Sequence, residues 1–365
     1  MTTLILKPTD GCNARCRYCS AAPAGAARHM STATLRQVFQ LFGDWAREHG
    51  SGDLKFIWHG GEPLSMQESF WEQVFQGQDQ LLRARGIRVE NGIQTNATLI
   101  RPETIPLLRR LLGERGAVGT SADPLPGIRE LKGEPDGRYG ERLSQALALL
   151  RDAGLKHGIL YVVHRLSLPH LADIYRGFRE TPQVSLRFNP LYRQGRARGD
   201  GVWDDIGISA GEWGEALVEL HRVWNADGRP DNVYPFAAWQ RLRDHGVWQL
   251  SCEASGNCAP SHFGVDPDGA VYLCGRSADG HAFGFGQAGE LTARALHEHP
   301  LLTMVSNRRV FLKLTACKGC RWWRYCHGGC LNDSLLASAT PFAPTSFCEG
   351  LRGFFDATYG SAGVP

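Results

Sequence analysis

The sequence predicts an α/β fold: a partial (β/α)6 TIM-like barrel followed by a cysteine-rich C-terminal domain. Three observations carry this. Short apolar or β-branched runs alternate with helical patterns over the first two-thirds of the chain. Most of those runs end in Gly, Asp, Asn, Pro or His, the residues of strand ends and turns. Beyond about residue 245 the periodicity fades, and eight of the eleven cysteines fall within Cys252–Cys348.

The strand candidates, in order, are Leu4–Lys7, Leu54–Trp58, Val89–Thr95, Val118–Ala122, Gly158–His164 and Val184–Asn189. Helical patterns lie at Thr32–Glu48, Gln67–Arg85, Pro102–Leu112, Arg138–Ala153 and Pro169–Phe178, with a further one at Ala210–Asn225. Ser31 suits an N-cap, and Pro102 and Pro169 suit first helical turns. Six strand-then-helix units imply a parallel sheet with right-handed crossovers, curved into a partial barrel. Chemistry is then expected at the C-terminal ends of the strands. GRPDN (Gly228–Asn232) reads as a boundary, giving expected domains at 1–228 and 229–365. The tail is too poor in hydrophobic pattern to hold itself, and metal is the expected staple.

Composition narrows the function. A formal net charge of +3 argues against nucleic acid or an anionic membrane as partner. No run approaches the length of a membrane-spanning helix, and MTTLILKPTDGC lacks the plan of a signal peptide. A cytoplasmic location with reduced thiols is therefore expected, where eleven cysteines point to metal or redox chemistry.

CNARCRYC places Cys12, Cys16 and Cys19 on the loop after the first strand. Three thiolates there can hold three irons of a [4Fe–4S] cluster and leave the fourth open to a ligand. A three-cysteine zinc site with a distant fourth ligand is the alternative. In HGGEP (His59–Pro63), at the end of the second strand, Gly60 and Gly61 allow close backbone approach to a ligand, and Glu62 adds an acceptor suited to an ammonium.

C-x3-C-x2-C with Tyr18 before the last cysteine, on the first loop of such a chain, resembles the radical S-adenosylmethionine superfamily. The resemblance implies that the open iron chelates the methionine moiety, and that one electron cleaves the sulfonium to a 5′-deoxyadenosyl radical which abstracts hydrogen from an unactivated C–H bond. It also implies that Gly60, Gly61 and Glu62 bind the methionine amino group, that Ser121 contacts ribose and carboxylate, and that Leu191 contacts adenine. Arg129 corresponds to the residue that meets the carboxylate, although its spacing differs from better-known members. Ordinary core or loop packing is the competing reading for these positions.

In the tail, Cys317-x2-Cys320-x5-Cys326-x3-Cys330 is followed by Cys348, and Gly269 completes G-x4-C with Cys274. This resembles the SPASM extension of peptide-modifying radical enzymes. The resemblance assigns Cys252, Cys258, Cys274 and Cys330 to one auxiliary [4Fe–4S] cluster, and Cys317, Cys320, Cys326 and Cys348 to another. Three clusters then use every cysteine. Two four-cysteine zinc sites are the alternative. Within RWWRYC, packing against a cluster is the expected role of the aromatic residues.

The same pattern occurs in anaerobic sulfatase-maturating enzymes, where an Asp close after the G-x4-C cysteine is the base. Here Gly275 and Arg276 follow Cys274, so that base is missing. Asp123 is a substitute candidate. Oxidative modification of a peptide or protein side chain is the expected activity, with cross-linking of a ribosomally made precursor peptide first. Formylglycine formation in a sulfatase comes second and dehydrogenation of a small molecule third; a metal-stabilised binding module is the non-enzymatic alternative. Only eleven residues precede Cys12, so a separate leader-peptide-binding protein is an expected partner, as is an electron donor such as flavodoxin or ferredoxin.

Overall fold

The computed structural model describes residues 1–21, 25–49, 52–180, 184–199, 201–246, 250–256, 258 and 261–360. Its main elements are β1 (Thr2–Thr9), α1 (Thr32–Glu48), β2 (Asp53–Gly60), α2 (Glu68–Leu81), β3 (Arg88–Thr95), α3 (Ile105–Leu112), β4 (Val118–Ser121), α4 (Arg138–Asp152) and β5 (His157–Val163). They continue with α5 (Leu171–Arg179), β6 (Ser185–Pro190), α6 (Ala210–Ala226), β7 (Val233–Tyr234), α7 (Phe236–His245), β8 (His262–Val265), β9 (Ala270–Tyr272), α8 (Gly275–Asp279), β10 (Gly284–Gln287), α9 (Pro300–Leu314) and α10 (Cys348–Tyr359). All six expected strands are present within a residue or two. The α/β class expected from the sequence is the observed one.

The chain divides into two compact units. The first comprises Met1–Ala122, Pro126–His157 and Cys258–Met304; the second comprises Asp123–Leu125, Gly158–Asn257 and Val305–Pro365. The GRPDN turn lies inside the second unit.

In the first unit the strands run in the order β10–β9–β8–β1–β2–β3–β4. β1 pairs in parallel with β2, with Leu4 opposite Phe56, and β2 pairs in parallel with β3. The other edge of β1 is covered by β8, also parallel, with Thr3 opposite His262 and Leu6 opposite Val265. Thus a short piece of the cysteine-rich tail extends the N-terminal sheet, which fading periodicity did not foretell. Along β2, Leu54, Phe56 and Trp58 are buried while Lys55, Ile57 and His59 are only partly so. The buried set meets α1 and α2: the Phe39 ring lies 5.4 Å from Phe56, and Trp71 lies 5.4 Å from Trp58. α1 starts where Ser31 Oγ accepts from Thr34 N at 3.0 Å, as an N-cap should.

In the second unit β5, β6 and β7 are parallel neighbours. Pro169 falls inside a 3-10 helix, Arg165–His170, ahead of α5 rather than in its first turn. α6 and α10 cross with their backbones touching: a Cβ built on Gly350 would sit 1.7 Å from Ala210 O. The adjoining core is aromatic, with His221 between Trp224, Phe236, Phe354 and Tyr359.

Candidate functional site

The cysteine loop is built on a two-stranded ribbon, in which Ala14–Cys16 pairs antiparallel with Arg129–Leu131 and Cys16 faces Arg129. This register brings a residue 113 positions away to the loop. Cys12, Cys16 and Cys19 form no disulfide. Burial pushes the Cys19 thiol up to about 12 and raises that of Cys12. Buried thiols of this kind lose their protons on meeting a metal cation, so the loop suits a metal cluster.

HGGEP abuts this loop directly. Gly61 N donates to Thr9 O at 2.9 Å, and Glu62 N donates to Gly11 O at 2.8 Å. A Cβ on Gly61 would lie 2.0 Å from Gly11 O; one on Gly60, which has φ +103°, would lie 2.4 Å from Thr9 O. The two glycines therefore admit the chain's own backbone at the root of the cysteine loop, rather than only a ligand.

Glu62 is fully buried. Its Oε1 accepts from Leu64 N at 2.9 Å and Thr95 Oγ1 at 2.7 Å, and its Oε2 accepts from Asn96 N at 2.7 Å. Burial raises its pKa, and the bonds from Thr95, Asn96 and Leu64 oppose that. A carboxylate has about four acceptor sites, so one remains for an ammonium on Oε2. Asn96 links this carboxylate to the loop, since its Nδ2 donates to Cys12 Sγ at 3.6 Å and to Asn13 Oδ1 at 2.7 Å. Sequence reasoning missed Asn96; its only signal was a polar run, Thr95–Thr98, at a strand end.

Arg129 is the part-buried cation of the site. Its Nη1 donates to Tyr18 OH at 3.2 Å, and its guanidinium lies 4.9 Å from the Tyr139 ring centroid. Its Nε is buried without a hydrogen-bond partner, and no carboxylate pairs with it among the described residues. A part-buried guanidinium held by two phenol rings, with an unpartnered Nε, fits an incoming carboxylate. Tyr139, also missed, donates from its OH to Ser121 O at 3.0 Å and so ties the Ser121 turn to Arg129. Cys12, Cys16, Cys19, Tyr18, Gly60, Gly61, Glu62, Ser121 and Arg129 all belong to the first unit. Leu191, buried with its N donating to Val163 O at 2.9 Å, and Asp123 belong to the second.

A further charged group sits below the loop. Lys7 Nζ lies 2.6 Å from Asp279 Oδ1 and 3.0 Å from Asp266 Oδ1, with all three side chains nearly inaccessible. Ser20 Oγ, next to Cys19, donates to Asp279 Oδ2 at 2.7 Å. Cys274 caps α8, and a Cβ on the next residue, Gly275, would lie 2.9 Å from Ile5 Cγ2.

In the tail, Cys258 and Cys274 fall in the first unit, and Cys252 and Cys330 in the second. Cys317, Cys320, Cys326 and Cys348 all lie in the second unit and influence one another. The Cys326 thiol is pushed up to about 12, by burial first and then by Cys348, Cys320 and Cys317 nearby. Cys317 is likewise raised to about 11, by burial first and then by Cys348 and Cys320 nearby. Arg308 pins this segment, donating to the carbonyls of Gly328, Gly329, Pro341 and Ala343. Trp322, Trp323 and Tyr325 are buried, and Trp323 packs with Leu312, Cys317 and Cys320.

Residues 6–176 match the radical SAM superfamily. The chain is 28% identical over 343 residues to a serine-type anaerobic sulfatase-maturating enzyme of Klebsiella aerogenes, covering 90% of this chain and 79% of that protein. It is 24% identical over 372 residues to a cysteine-type anaerobic sulfatase-maturating enzyme of Clostridium perfringens, covering 97% and 95%. Among solved structures, native anSMEcpe with bound AdoMet and the Cp18Cys peptide superposes with a TM-score of 0.81 at 22% identity, covering 99% of this chain and 97% of that one. Streptococcus suis SuiB bound to its precursor peptide SuiA gives 0.63 at 14% identity, covering 95% and 75%. These likenesses establish the fold. No helix among the described residues is long and apolar enough to cross a membrane.

Proposed function

We infer, from the premise that the chain carries a radical S-adenosylmethionine domain at residues 6–176, that it oxidises a side chain of a peptide or protein, with cross-linking of a ribosomally made precursor peptide as the first reading. Cys12, Cys16 and Cys19 would hold the radical [4Fe–4S] cluster. Cys252, Cys258, Cys274 and Cys330, and Cys317, Cys320, Cys326 and Cys348, would hold two auxiliary ones. When bound, the cluster and adenosylmethionine supply one-electron cleavage that ends in removal of a hydrogen atom from a C–H bond. The chain's own residues do the positioning. Glu62 accepts the methionine ammonium through its spare lone pair, and Arg129, fixed by Tyr18 and Tyr139, meets the carboxylate. Ser121, tied to the same tyrosine, and Leu191 take the nucleoside end.

The observation that carries the choice of product is Gly275. Formylglycine formation needs a base beside Cys274, and position 275 has neither a side chain nor room for one against Ile5. Formylglycine formation in a sulfatase remains the second reading, because the likeness to sulfatase-maturating enzymes runs over most of the chain. An electron donor such as flavodoxin or ferredoxin, and a separate leader-peptide-binding protein, are the partners this reading implies. The test is mass spectrometry of candidate peptides after anaerobic reaction. Loss of two hydrogens per turnover from a precursor peptide, with no aldehyde from a peptide carrying Cys-x-Pro-x-Arg, is expected. Efficient aldehyde formation from the latter would put the sulfatase reading first.

A further inference from the structure

Exposed large hydrophobic side chains are usually scattered. Here three of the six among the described residues, Val310, Phe311 and Leu314, lie within five positions of α9 and are 60%, 46% and 69% exposed. Their spacing puts them along one side of the helix. Phe311 extends the patch to Phe342, ring centroid to ring centroid 5.0 Å. Leu312, between them in sequence, turns inward with no exposure and packs on Cys317, Cys320 and Trp323. The apolar patch thus lies on the solvent side of α9, whose inner side packs through Leu312 on two cysteines of a four-cysteine set.

The charge along this stretch of sequence has one predominant sign. Between Glu298 and Glu349 the sequence contains six basic residues, Arg308, Arg309, Lys313, Lys318, Arg321 and Arg324, and a single acidic one, Asp333. Asp333 is buried and accepts from Ser346 N at 2.7 Å, so it offers no negative charge to the surface. Arg308 is committed to carbonyls and Arg321 to Asp356. Lys313 and Lys318 are exposed and form no ion pair among the described residues. A second copy of this chain would bring like charges together, whereas an acidic partner matches them.

We propose that Val310, Phe311 and Leu314, rimmed by Lys313 and Lys318, form the docking surface for an acidic one-electron carrier protein of the ferredoxin or flavodoxin class. This rests on the reading that Cys317, Cys320, Cys326 and Cys348 hold a cluster, which supplies one-electron chemistry when bound. Electron carriers dock transiently through small apolar patches steered by charge, and this surface has both parts.

The test uses anaerobically reconstituted full-length protein and an acidic plant-type [2Fe–2S] ferredoxin, with binding followed by calorimetry at low and high salt. The double variant Lys313→Glu/Lys318→Glu should weaken binding by about tenfold or more and flatten its salt dependence. Leu314→Asp should weaken it comparably. Iron content, adenosylmethionine binding and dithionite-driven 5′-deoxyadenosine formation should be unchanged in both variants. Unaltered affinity in either variant would overturn the proposal, as would no binding to the unaltered protein. So would variants that lose precursor-peptide binding, or a dimer of the chain that Leu314→Asp dissociates, in place of the ferredoxin effect. Failure of the cluster reading shows separately, as iron content that Cys317→Ala leaves unchanged.

Discussion

His164 Nε2 lies 3.0 Å from Asp123 Oδ2, with neither side chain exposed to solvent. His164 follows β5 directly and Asp123 follows β4 after Ala122, and Asp123 Oδ1 also accepts from Leu125 N at 3.1 Å. The candidate base is thus engaged at both oxygens in shaping its own loop.

Asp123→Ala should therefore cost stability, because it leaves a buried imidazole nitrogen without its acceptor. A loss of about 1–3 kcal/mol, read as a lower melting temperature, is expected. Asp123→Asn keeps the shape and most of the bonds, and it should retain product formation. Loss of product with undiminished 5′-deoxyadenosine in Asp123→Asn would make Asp123 the proton acceptor after all.

Gly275→Asp tests the missing base by trying to restore it. From sequence alone that change looks like a route to traces of formylglycine activity. The contact with Ile5 changes the expectation: a Cβ at 2.9 Å from Cγ2 overpacks the start of α8 and costs about 1–3 kcal/mol. Gly275→Asp should melt earlier and make no aldehyde from a Cys-x-Pro-x-Arg peptide. Adding Ile5→Ala should recover much of the melting temperature.

Lys7→Met should be among the most damaging single changes in the first unit. It leaves buried Asp279 without its lysine and Asp266 with only Arg28 and His281, each at 3.7 Å, at a cost of about 3–5 kcal/mol. Adding Asp266→Asn and Asp279→Asn should return part of that loss. Denaturant titration of the three proteins decides it.

His221 gives the second unit a pH dependence. Burial, helped by Arg229 and Arg243, pulls its pKa from the ordinary 6.5 down to about 4. The unfolded chain then binds a proton that the folded one refuses, so stability falls as pH drops from 6.5 towards 4 and is unaffected by His221 above that window. His221→Phe should reduce the slope of this part of a melting-temperature profile, leaving that due to carboxylates and to His59, His262 and His327, whose pKa values burial also lowers.

Three four-iron clusters require about 12 irons in anaerobically reconstituted protein. Replacing Cys12, Cys16 and Cys19 together by Ala should leave about eight and abolish 5′-deoxyadenosine formation. Replacing Cys317 and Cys320 should also leave about eight, but some dithionite-driven adenosylmethionine cleavage should survive. Stoichiometric zinc in protein purified without air would exclude the radical chemistry.

The strands were legible because each is a local signal: Leu54–Trp58 is an apolar run stopped by His-Gly-Gly, and it appears as Asp53–Gly60. What stayed hidden depends on distant partners. His262–Val265 is only four residues long, and nothing in it announces pairing with β1. Lys7 reads as an ordinary strand-end lysine until Asp266 and Asp279 arrive from more than 250 residues away. Gly60 and Gly61 were expected to admit a ligand; the neighbouring backbone of Thr9 and Gly11 that they admit could not be read from HGGEP alone.

That backbone contact has a consequence for protein engineering. Because Gly61 has no room for even a methyl group beside Gly11, the cysteine loop and the glycine pair cannot be transplanted separately. A host barrel given CNARCRYC alone would collide with whatever side chain it carries at the end of its own second strand. The smallest portable cassette is both strand ends together, with Asn96 added to bridge the loop to Glu62.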